Sequence, residues 1–215
     1  MSDARHNIFQ RIRKANQHVP QVGSSEIIKE RIQQHPCGPQ PQWREDLLTR
    51  FTRKVAQASA SYAPVKSEQD ITDAVASYIT EQSLDEKLVT TSTPLLNGLV
   101  WPVSMKVESR AAIASDTLVL VEAFAGIAET GSVVMYSSKD TPVSLNFLPD
   151  HFLCVVHKNR IVNTLEDVWE RVRRSGASLP RAINIITGPS RTADVEQIIQ
   201  MGAHGPRRVH LLLLD

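Results

Sequence analysis

The segment from residue 181 to the C-terminus constrains the fold more than any other part of the sequence. It contains the apolar, largely β-branched run 182–186, the turn sequence Thr-Gly-Pro-Ser at 187–190, a stretch with helical spacing, and the apolar run 209–214. An apolar run that leads into a Gly-Pro turn is typical of a buried strand, and helical spacing after a turn predicts a helix start. We therefore expect a strand, a tight turn, a short helix and a closing strand. In an open α/β sheet, turns of this kind lie where ligands bind.

The preceding sequence alternates between helical and extended patterns. Helical spacing covers about 43–60, and Ser67 lies three residues before Asp70, a spacing similar to that of a capping box. Residues 87–91 have the pattern of a strand, and 101–103 have the pattern of a second, shorter one. This order of elements favours a sheet with helices on its faces.

A pair of apolar runs, 117–128 and 132–136, breaks this alternation. The short sequence Glu-Thr-Gly at 129–131 joins them, which predicts an antiparallel hairpin within or beside a mostly parallel sheet. A further strand is predicted at 152–156, and Thr164 is expected to open the helix that follows.

A proline-rich loop at 35–41 divides the chain, because its three prolines cannot continue a helix. Two amphipathic helical patterns, 4–15 and 24–34, precede it. We therefore predict an N-terminal helical arm with its hinge at 1–41 and an α/β domain at 42–215. The predicted fold class is α/β, with a mostly parallel sheet, helices on both of its faces and an antiparallel hairpin. A chain of 215 residues, 41% of them hydrophobic, can fill one sizeable core of this kind.

Composition and charge exclude several classes of function. The net charge is +1 and the basic residues are spread along the chain, so the electrostatic footprint of a nucleic-acid-binding protein is missing. The N-terminus lacks the apolar region of a signal peptide, and no apolar run is long enough to cross a bilayer, so we expect a cytoplasmic protein.

Cys154 has a core pattern and Cys37 lies in a loop, which argues against a disulfide. Two cysteines cannot hold an iron–sulfur cluster or a structural zinc by themselves, and the histidine spacings fit no common metal site, so we expect no metal and no cofactor on this chain.

The turn at 187–190 is the first candidate binding element. Backbone N–H groups at a helix start, together with the hydroxyls of Thr187, Ser190 and Thr192, suit a carboxylate or a phosphate. The alternative is local structure alone, in which Ser190 or Thr192 caps the helix and Asp194 and Glu196 stabilise its dipole. The two acidic residues would also repel an anion, so both interpretations stay open.

Glu129 and His204 are the other candidates. Glu129 lies at a strand–turn–strand junction, where a carboxylate can act as a base or contact a ligand. Alternatively it is a surface residue of a turn in which Gly131 supplies a positive φ. His204 precedes Gly205 and is expected to face the 187–190 turn, whereas His157 and His210 are expected to be packed or hydrogen-bonded.

The combination of these motifs closely resembles the lactate utilisation protein C family, also described as LUD-domain proteins. The segments that carry the resemblance are Ile-Ala-Glu-Thr-Gly at 127–131, Leu-Pro at 148–149, Thr-Leu-Glu-Asp at 164–167, the run 186–196 and His-Gly-Pro at 204–206. The resemblance implies a fold similar to those of ribose-phosphate isomerase, glucosamine-phosphate deaminase and CoA transferases. It also implies a part in bacterial oxidation of lactate to pyruvate beside two partner proteins that carry iron–sulfur clusters.

We accordingly expect a small-anion cleft formed by the motif residues. The candidate residues are Glu129, Thr130, Gly131, Thr187, Gly188, Ser190, Thr192, Asp194, His204 and Gly205. The leading hypothesis is a non-redox accessory or substrate-binding subunit of a lactate oxidation system. The alternatives are an enzyme of the sugar-phosphate isomerase or CoA-transferase type that uses Glu129, and a scaffold whose motif residues only cap helices and form turns.

The chain departs from the family pattern at Phe124. Many relatives carry an acidic residue there, five positions before the motif glutamate. Glu122 is two residues earlier and would point to the same strand face. Either Glu122 takes the place of that acid or the site is less acidic in this chain.

Overall fold

The computed structural model describes residues 2–16, 25–176, 178–192 and 200–215. The chain divides into two compact units, 1–42 and 43–215. The first unit contains helices α1 (Ser2–Asn16) and α2 (Ser25–Gln34), which occupy the two predicted helical segments. Their larger apolar side chains, such as Phe9 and Ile28, are exposed.

The second unit carries all the strands that the structure describes. In chain order its elements are α3 (Leu47–Gln57), β1 (Ser61–Val65), α4 (Asp70–Gln82), β2 (Lys87–Thr90), α5 (Pro94–Asn97), β3 (Lys106–Ser109), β4 (Leu118–Glu122), β5 (Ala125–Ile127), β6 (Ser132–Tyr136), β7 (His151–His157), β8 (Ile161–Val162), α6 (Leu165–Arg174), β9 (Ile183–Ile186), β10 (Arg191–Thr192), β11 (Gln200–Met201) and β12 (Arg208–Leu214).

The main sheet has six parallel strands in the order β1-β12-β7-β4-β2-β3. Its centre is made of β12 and β7, which pair along their whole length with Leu211 opposite Cys154. Both are almost continuously apolar and buried, as expected of parallel strands covered on two sides. β1 contains Pro64 and lies at the edge, where a missing backbone donor costs least.

Side chains alternate between the two faces of this sheet. Leu118 and Leu120 pack in one cluster with residues of α4 and α5. Val119 and Val121 pack in the other, with Phe51 of α3 and with residues of a second sheet. The predicted α/β class and mostly parallel sheet are thereby confirmed, and the second face is covered by both a helix and a smaller sheet.

That smaller sheet has the strand order β8-β5-β6-β9. The predicted hairpin is its β5–β6 pair, which is antiparallel with Gly126 opposite Val133. Helix α6 packs Val168 and Val172 against Ala125 on β5. It starts with the predicted capping box, in which Thr164 Oγ1 accepts from the Asp167 N–H and the Asp167 carboxylate accepts from the Thr164 N–H.

The long apolar run 117–128 is not one strand. The Ala123 N–H donates to Val155 O at 2.9 Å, within the main sheet, and the Phe124 N–H donates to Val134 O at 2.8 Å, within the second. The backbone therefore changes partners between these two residues, and β4 and β5 belong to different sheets.

Two further local expectations were wrong. Residues 101–103 form no strand: the Met105 N–H donates to Pro102 O in a turn, Val103 is fully exposed, and β3 begins only at Lys106. The spacing of Ser67 and Asp70 does not make a capping box, because the Ser67 hydroxyl donates to the Asp70 carboxylate rather than accepting from a backbone N–H.

The helix predicted after the 187–190 turn lies mostly outside the described residues. Arg191 and Thr192 instead pair in antiparallel fashion with Met201 and Gln200. Asp194 falls within 193–199, which the structure does not describe. Among the described helices, none has the length and apolar character needed to cross a bilayer.

Candidate functional site

The two motif turns, 129–131 and 187–190, meet on the C-terminal half of α3. Gly131 has a φ of +72°, and a Cβ there would lie 2.5 Å from the backbone N of Val55. Gly188 has a φ of +71°, and its Cβ would lie 2.1 Å from the carbonyl oxygen of Ala58. Both turns therefore approach the backbone of the helix so closely that only glycine fits.

A chain of hydroxyl groups joins the two turns. Thr130 Oγ1 and Ser132 Oγ are 2.6 Å apart, and Ser132 Oγ and Thr187 Oγ1 are also 2.6 Å apart. The pairing of β6 with β9, Val133 opposite Ile186, brings these residues together although Ser132 and Thr187 are 55 positions apart in the sequence. Sequence reasoning missed Ser132, which is 1% exposed. We name Glu129, Thr130, Ser132 and Thr187 the motif junction.

The His-Gly-Pro segment is fastened to Ser190. The Ser190 N–H donates to Pro206 O at 2.9 Å, and the Gly202 N–H donates to Ser190 O at 2.9 Å. The His204 N–H donates to Ser190 Oγ at 3.3 Å, and a Cβ on Gly205 would lie 3.3 Å from Ser190 Cβ. Ser190 thus holds the two motifs together. The His204 side chain is exposed.

Glu129 is half-buried, and its backbone N–H donates to Asn163 O at 3.0 Å. Its carboxylate has no hydrogen bond or ion pair within the described part of the chain. The Asn163 side chain accepts from Arg50 Nη2 at 2.5 Å. Arg50 is only 2% exposed and lies 3.9 Å from the centroid of the Trp43 ring. Its Nε is buried and has no hydrogen-bond partner among the described residues.

Glu122 and Phe124 do not share a strand face, because β4 ends at Glu122. Glu122 Oε1 accepts from Arg160 Nη1 at 2.8 Å and contacts His157 Nε2 at 3.1 Å. The Phe124 ring stacks on Tyr136 with centroids 3.9 Å apart. The expected hydrogen-bonded role of His157 is confirmed.

An open cavity of about 670 Å³ lies at the amino ends of β1, β7 and β12. Its lining residues are Ser59, Ala60, Ser61, Tyr78, Gln82, Asp150, His151, Pro189, Met201, Arg207, Arg208 and Val209. Pro189 belongs to the 187–190 turn, so this motif borders the cavity. The turn therefore lies at the amino ends of the main-sheet strands rather than at the carboxyl ends, where ligands bind in most open α/β sheets.

Two histidines lie at this end of the sheet, and each is paired with a hydroxyl group. His151 Nδ1 lies 3.0 Å from the Tyr78 hydroxyl, and His210 Nδ1 lies 2.7 Å from Ser61 Oγ. The Tyr78 ring contacts both imidazoles, with centroids 5.8 Å from His151 and 4.9 Å from His210. His210 was predicted to be packed or hydrogen-bonded, and it is both, but its neighbours could not be anticipated from the sequence.

Burial governs the titration of this cluster. Loss of hydration raises the pKa of Tyr78 to about 12, and it lowers the pKa of His151 and of His210. The positive charge of Arg208 lowers the pKa of His151 further. Both imidazoles are therefore neutral near pH 7.

Comparisons with known proteins identify a family. The LUD domain model matches residues 104–214. Uncharacterized protein YkgG of Escherichia coli K12 is 27% identical over 201 residues, which cover 89% of this chain and 85% of that protein. Lactate utilization protein C of Bacillus subtilis 168 is 37% identical over 92 residues, but these cover only 41% of this chain and 38% of that protein. A crystal structure of a DUF162 family protein from Deinococcus radiodurans superposes with a TM-score of 0.57 at 22% identity, covering 81% of this chain and all of that one.

Proposed function

The chain belongs to the LUD domain family, and on that premise we propose that it is a non-redox accessory or ligand-binding subunit of a bacterial system that oxidises L-lactate to pyruvate. The name of the Bacillus subtilis relative, lactate utilization protein C, supports the pathway. Because the alignment spans 38% of that relative, its activity and partners are carried over as parts of the proposal.

The chemistry of lactate oxidation supports a division of labour. Converting L-lactate to pyruvate releases two electrons and two protons, which need an acceptor. A cysteine-ligated iron–sulfur cluster takes about four thiolates, and this chain contains two cysteines. One of them, Cys154, is buried, which raises the pKa of its thiol. We therefore assign electron transfer to iron–sulfur partner proteins in the cytoplasm.

The motif junction is the observation that carries the proposal. Its turns are fixed by two close glycine contacts and by the Thr130–Ser132–Thr187 hydroxyl chain. This rigid support presents the half-buried Glu129 carboxylate, which has no internal partner within the described residues. A carboxylate held without a partner can accept a hydrogen bond from a hydroxyl group of a ligand or from a partner protein.

A scaffold role is the second candidate, and a specific observation favours it. The hydroxyls of Thr130, Thr187 and Ser190 are all engaged in internal hydrogen bonds. Those residues then position backbone segments, whereas Glu129 and His204 are two motif side chains that make no such bond within the described residues. A scaffold requires the folded motif junction but tolerates loss of the Glu129 charge.

Complementation tests these roles. In a strain that lacks this chain, we expect the parent gene to restore growth on L-lactate and lactate-dependent dye reduction in extracts, and Glu129→Gln to fail. Glu68→Gln, the same change at an exposed position in the loop before α4, is the matched control and should restore both. Affinity purification of the parent should recover the iron–sulfur proteins.

The outcomes test separately the part of this chain in lactate oxidation and the role of Glu129 in that part. Full lactate-dependent dye reduction in the strain without this chain would refute the part in lactate oxidation. Dependence on the chain together with full activity of Glu129→Gln would instead refute the site and favour the scaffold.

A further inference from the structure

The cavity at the amino ends of β1, β7 and β12 is built largely from residues outside the family motifs. Ser61 begins β1, Tyr78 and Gln82 come from α4, and His151 begins β7. The motif junction lies on α3 and the second sheet and supplies none of its lining residues. A ligand in this cavity would therefore not depend on the Glu129 carboxylate.

The cavity carries an excess of positive charge. Arg207 Nε lies 3.3 Å from Asp150 Oδ1, and both side chains are at least half exposed. Arg208 also lines the cavity and has no ion pair among the described residues. Two guanidinium groups thus line the cavity with one carboxylate, and within the described part of the chain one positive charge has no ion-pair partner.

The charge of Arg208 reaches the histidine cluster. Arg208 lies opposite His151 in the pairing of β12 with β7, and its charge lowers the pKa of both Tyr78 and His151. Asp150 acts on His151 in the opposite direction. Glu81 of α4 does not line the cavity, but its charge acts on Tyr78 and His210.

Polar groups suited to an oxyanion stand next to this charge. The Tyr78 hydroxyl and the His151 imidazole form one pair, and Ser61 forms another with His210. Tyr78 is 5% exposed and its ring packs against both imidazoles, so these groups are held in place before a ligand arrives. A preorganised site loses less conformational entropy on binding than a mobile one.

We propose that this cavity binds a small oxyanion, a carboxylate or a phosphate group, with Arg208 supplying the charge and the Tyr78–His151 pair and Ser61 supplying hydrogen bonds. A guanidinium recognises either group through charge-assisted hydrogen bonds. A bound anion offsets the charge of Arg208, so binding favours protonation of His151 and is tighter at lower pH. The site is independent of the proposed role in lactate oxidation.

Imidazole NMR on the full chain tests the proposal. The ring signals of His151 and His210 are followed while inorganic phosphate is added to one sample and acetate to another, in a buffer without other oxyanions. We expect saturable shifts at His151 and a rise in its apparent pKa with at least one probe. A response to phosphate alone supports a phosphate ligand, and a response to acetate alone supports a carboxylate ligand. His35, which is exposed in the other compact unit, is the internal reference.

The affinities of three variants for the responding oxyanion distinguish binding in the cavity from a general effect of ionic strength. Arg208→Gln should weaken binding of the responding probe about tenfold, the loss of a typical charge-assisted contact. Arg173→Gln makes the same charge change on the exposed surface of α6 and should leave the affinity unaltered. Tyr78→Phe keeps the ring and removes the hydroxyl, and should weaken binding while leaving the fold intact.

Two results would overturn the proposal. One is the absence of any saturable shift at His151 with either probe at millimolar concentrations. The other is a shift of equal midpoint in the parent and in Arg208→Gln, since binding would then not depend on the charge assigned to it.

Discussion

Two constraints act on the motif glycines Gly131 and Gly188: a positive φ and a close approach to α3. Only the first of them can be predicted from the sequence. A positive φ at Gly131 was expected for a hairpin turn and is confirmed. The close approach of both glycines to α3 could not be predicted, because it depends on where a distant helix packs. Such contacts explain why the motif turns carry glycine even though their φ values alone admit other residues at a cost.

Alanine substitutions should distinguish these constraints. Gly188→Ala places a Cβ 2.1 Å from Ala58 O, so we expect a loss of roughly 3 kcal/mol in the free energy of unfolding, from clash and φ strain together. Gly176→Ala is made at the same kind of φ, +63°, but the new Cβ would meet no described atom within 4 Å, and the change should cost only about 1 kcal/mol. Urea unfolding of the full-length variants measures both. Equal losses would show that the approach to Ala58 is not the dominant constraint.

Apolar patterning predicted the strands well and their partners poorly. The run 117–128 is largely apolar, with Glu122 as its one charged residue, and its pattern does not show that the chain changes sheet between Ala123 and Phe124. The exchange appears only in the backbone hydrogen bonds to Val155 and Val134. The pattern at 101–103 failed for a different reason, since Val103 is an exposed loop residue and short apolar pieces also occur in loops.

The two predicted capping motifs differ in the hydrogen-bond partner of their hydroxyl side chain, and only one of them caps its helix. Thr164 Oγ1 accepts from the Asp167 N–H at the start of α6, whereas the Ser67 hydroxyl reaches only the Asp70 carboxylate before α4. The two sequences have the same spacing, so the spacing alone could not tell them apart. The difference lies in where each helix begins.

Removing the two hydroxyls should therefore have unequal effects. Thr164→Ala should lower the free energy of unfolding by about 1 kcal/mol, because a buried cap is lost. Ser67→Ala should change it by less than about 0.5 kcal/mol, because the lost bond joins exposed groups. Chemical unfolding followed by circular dichroism compares them. A Ser67→Ala loss as large as that of Thr164→Ala would show that Ser67 caps α4 in solution.

At the scale of the whole molecule, the candidate sites depend on topology more than on motifs. The motif junction was partly predictable, since Glu129, Thr130 and Thr187 lie in recognisable turns. The cavity was not, because Ser61 and His210 are 149 positions apart and meet only through the parallel pairing of β1 with β12. His210 is flanked by Val209 and Leu211 on an almost continuously apolar strand, which is also the pattern of a packed histidine.

Burial of the Tyr78 cluster makes the stability of the molecule depend on pH. His151 and His210 have folded-state pKa values below 6.5, chiefly because burial disfavours their charged forms. Above that pH both are neutral in the folded and unfolded chains, and their contribution to stability is complete. As the pH falls below 6.5 the unfolded chain binds protons first, so the free energy of unfolding should decrease, by at most about 1.4 kcal/mol per pH unit for each histidine. Lowered carboxylate pKa values, such as that of Asp116 beside Arg110, act only at more acidic pH.

Urea unfolding between pH 5 and 8, in a buffer without phosphate or carboxylate, measures this slope. The double variant His151→Gln/His210→Gln should lose most of the slope between about pH 5 and 6.5 whatever its absolute stability. A His6→Gln/His35→Gln pair, which removes two exposed imidazoles in the first unit, should keep it. A slope that is the same in all three proteins would mean that the two buried imidazoles do not govern stability in this range. If the parent shows the slope, a saturating oxyanion should reduce it. The ligand binds the folded chain and favours protonation of His151 there, so the folded and unfolded chains differ less in the protons that they bind.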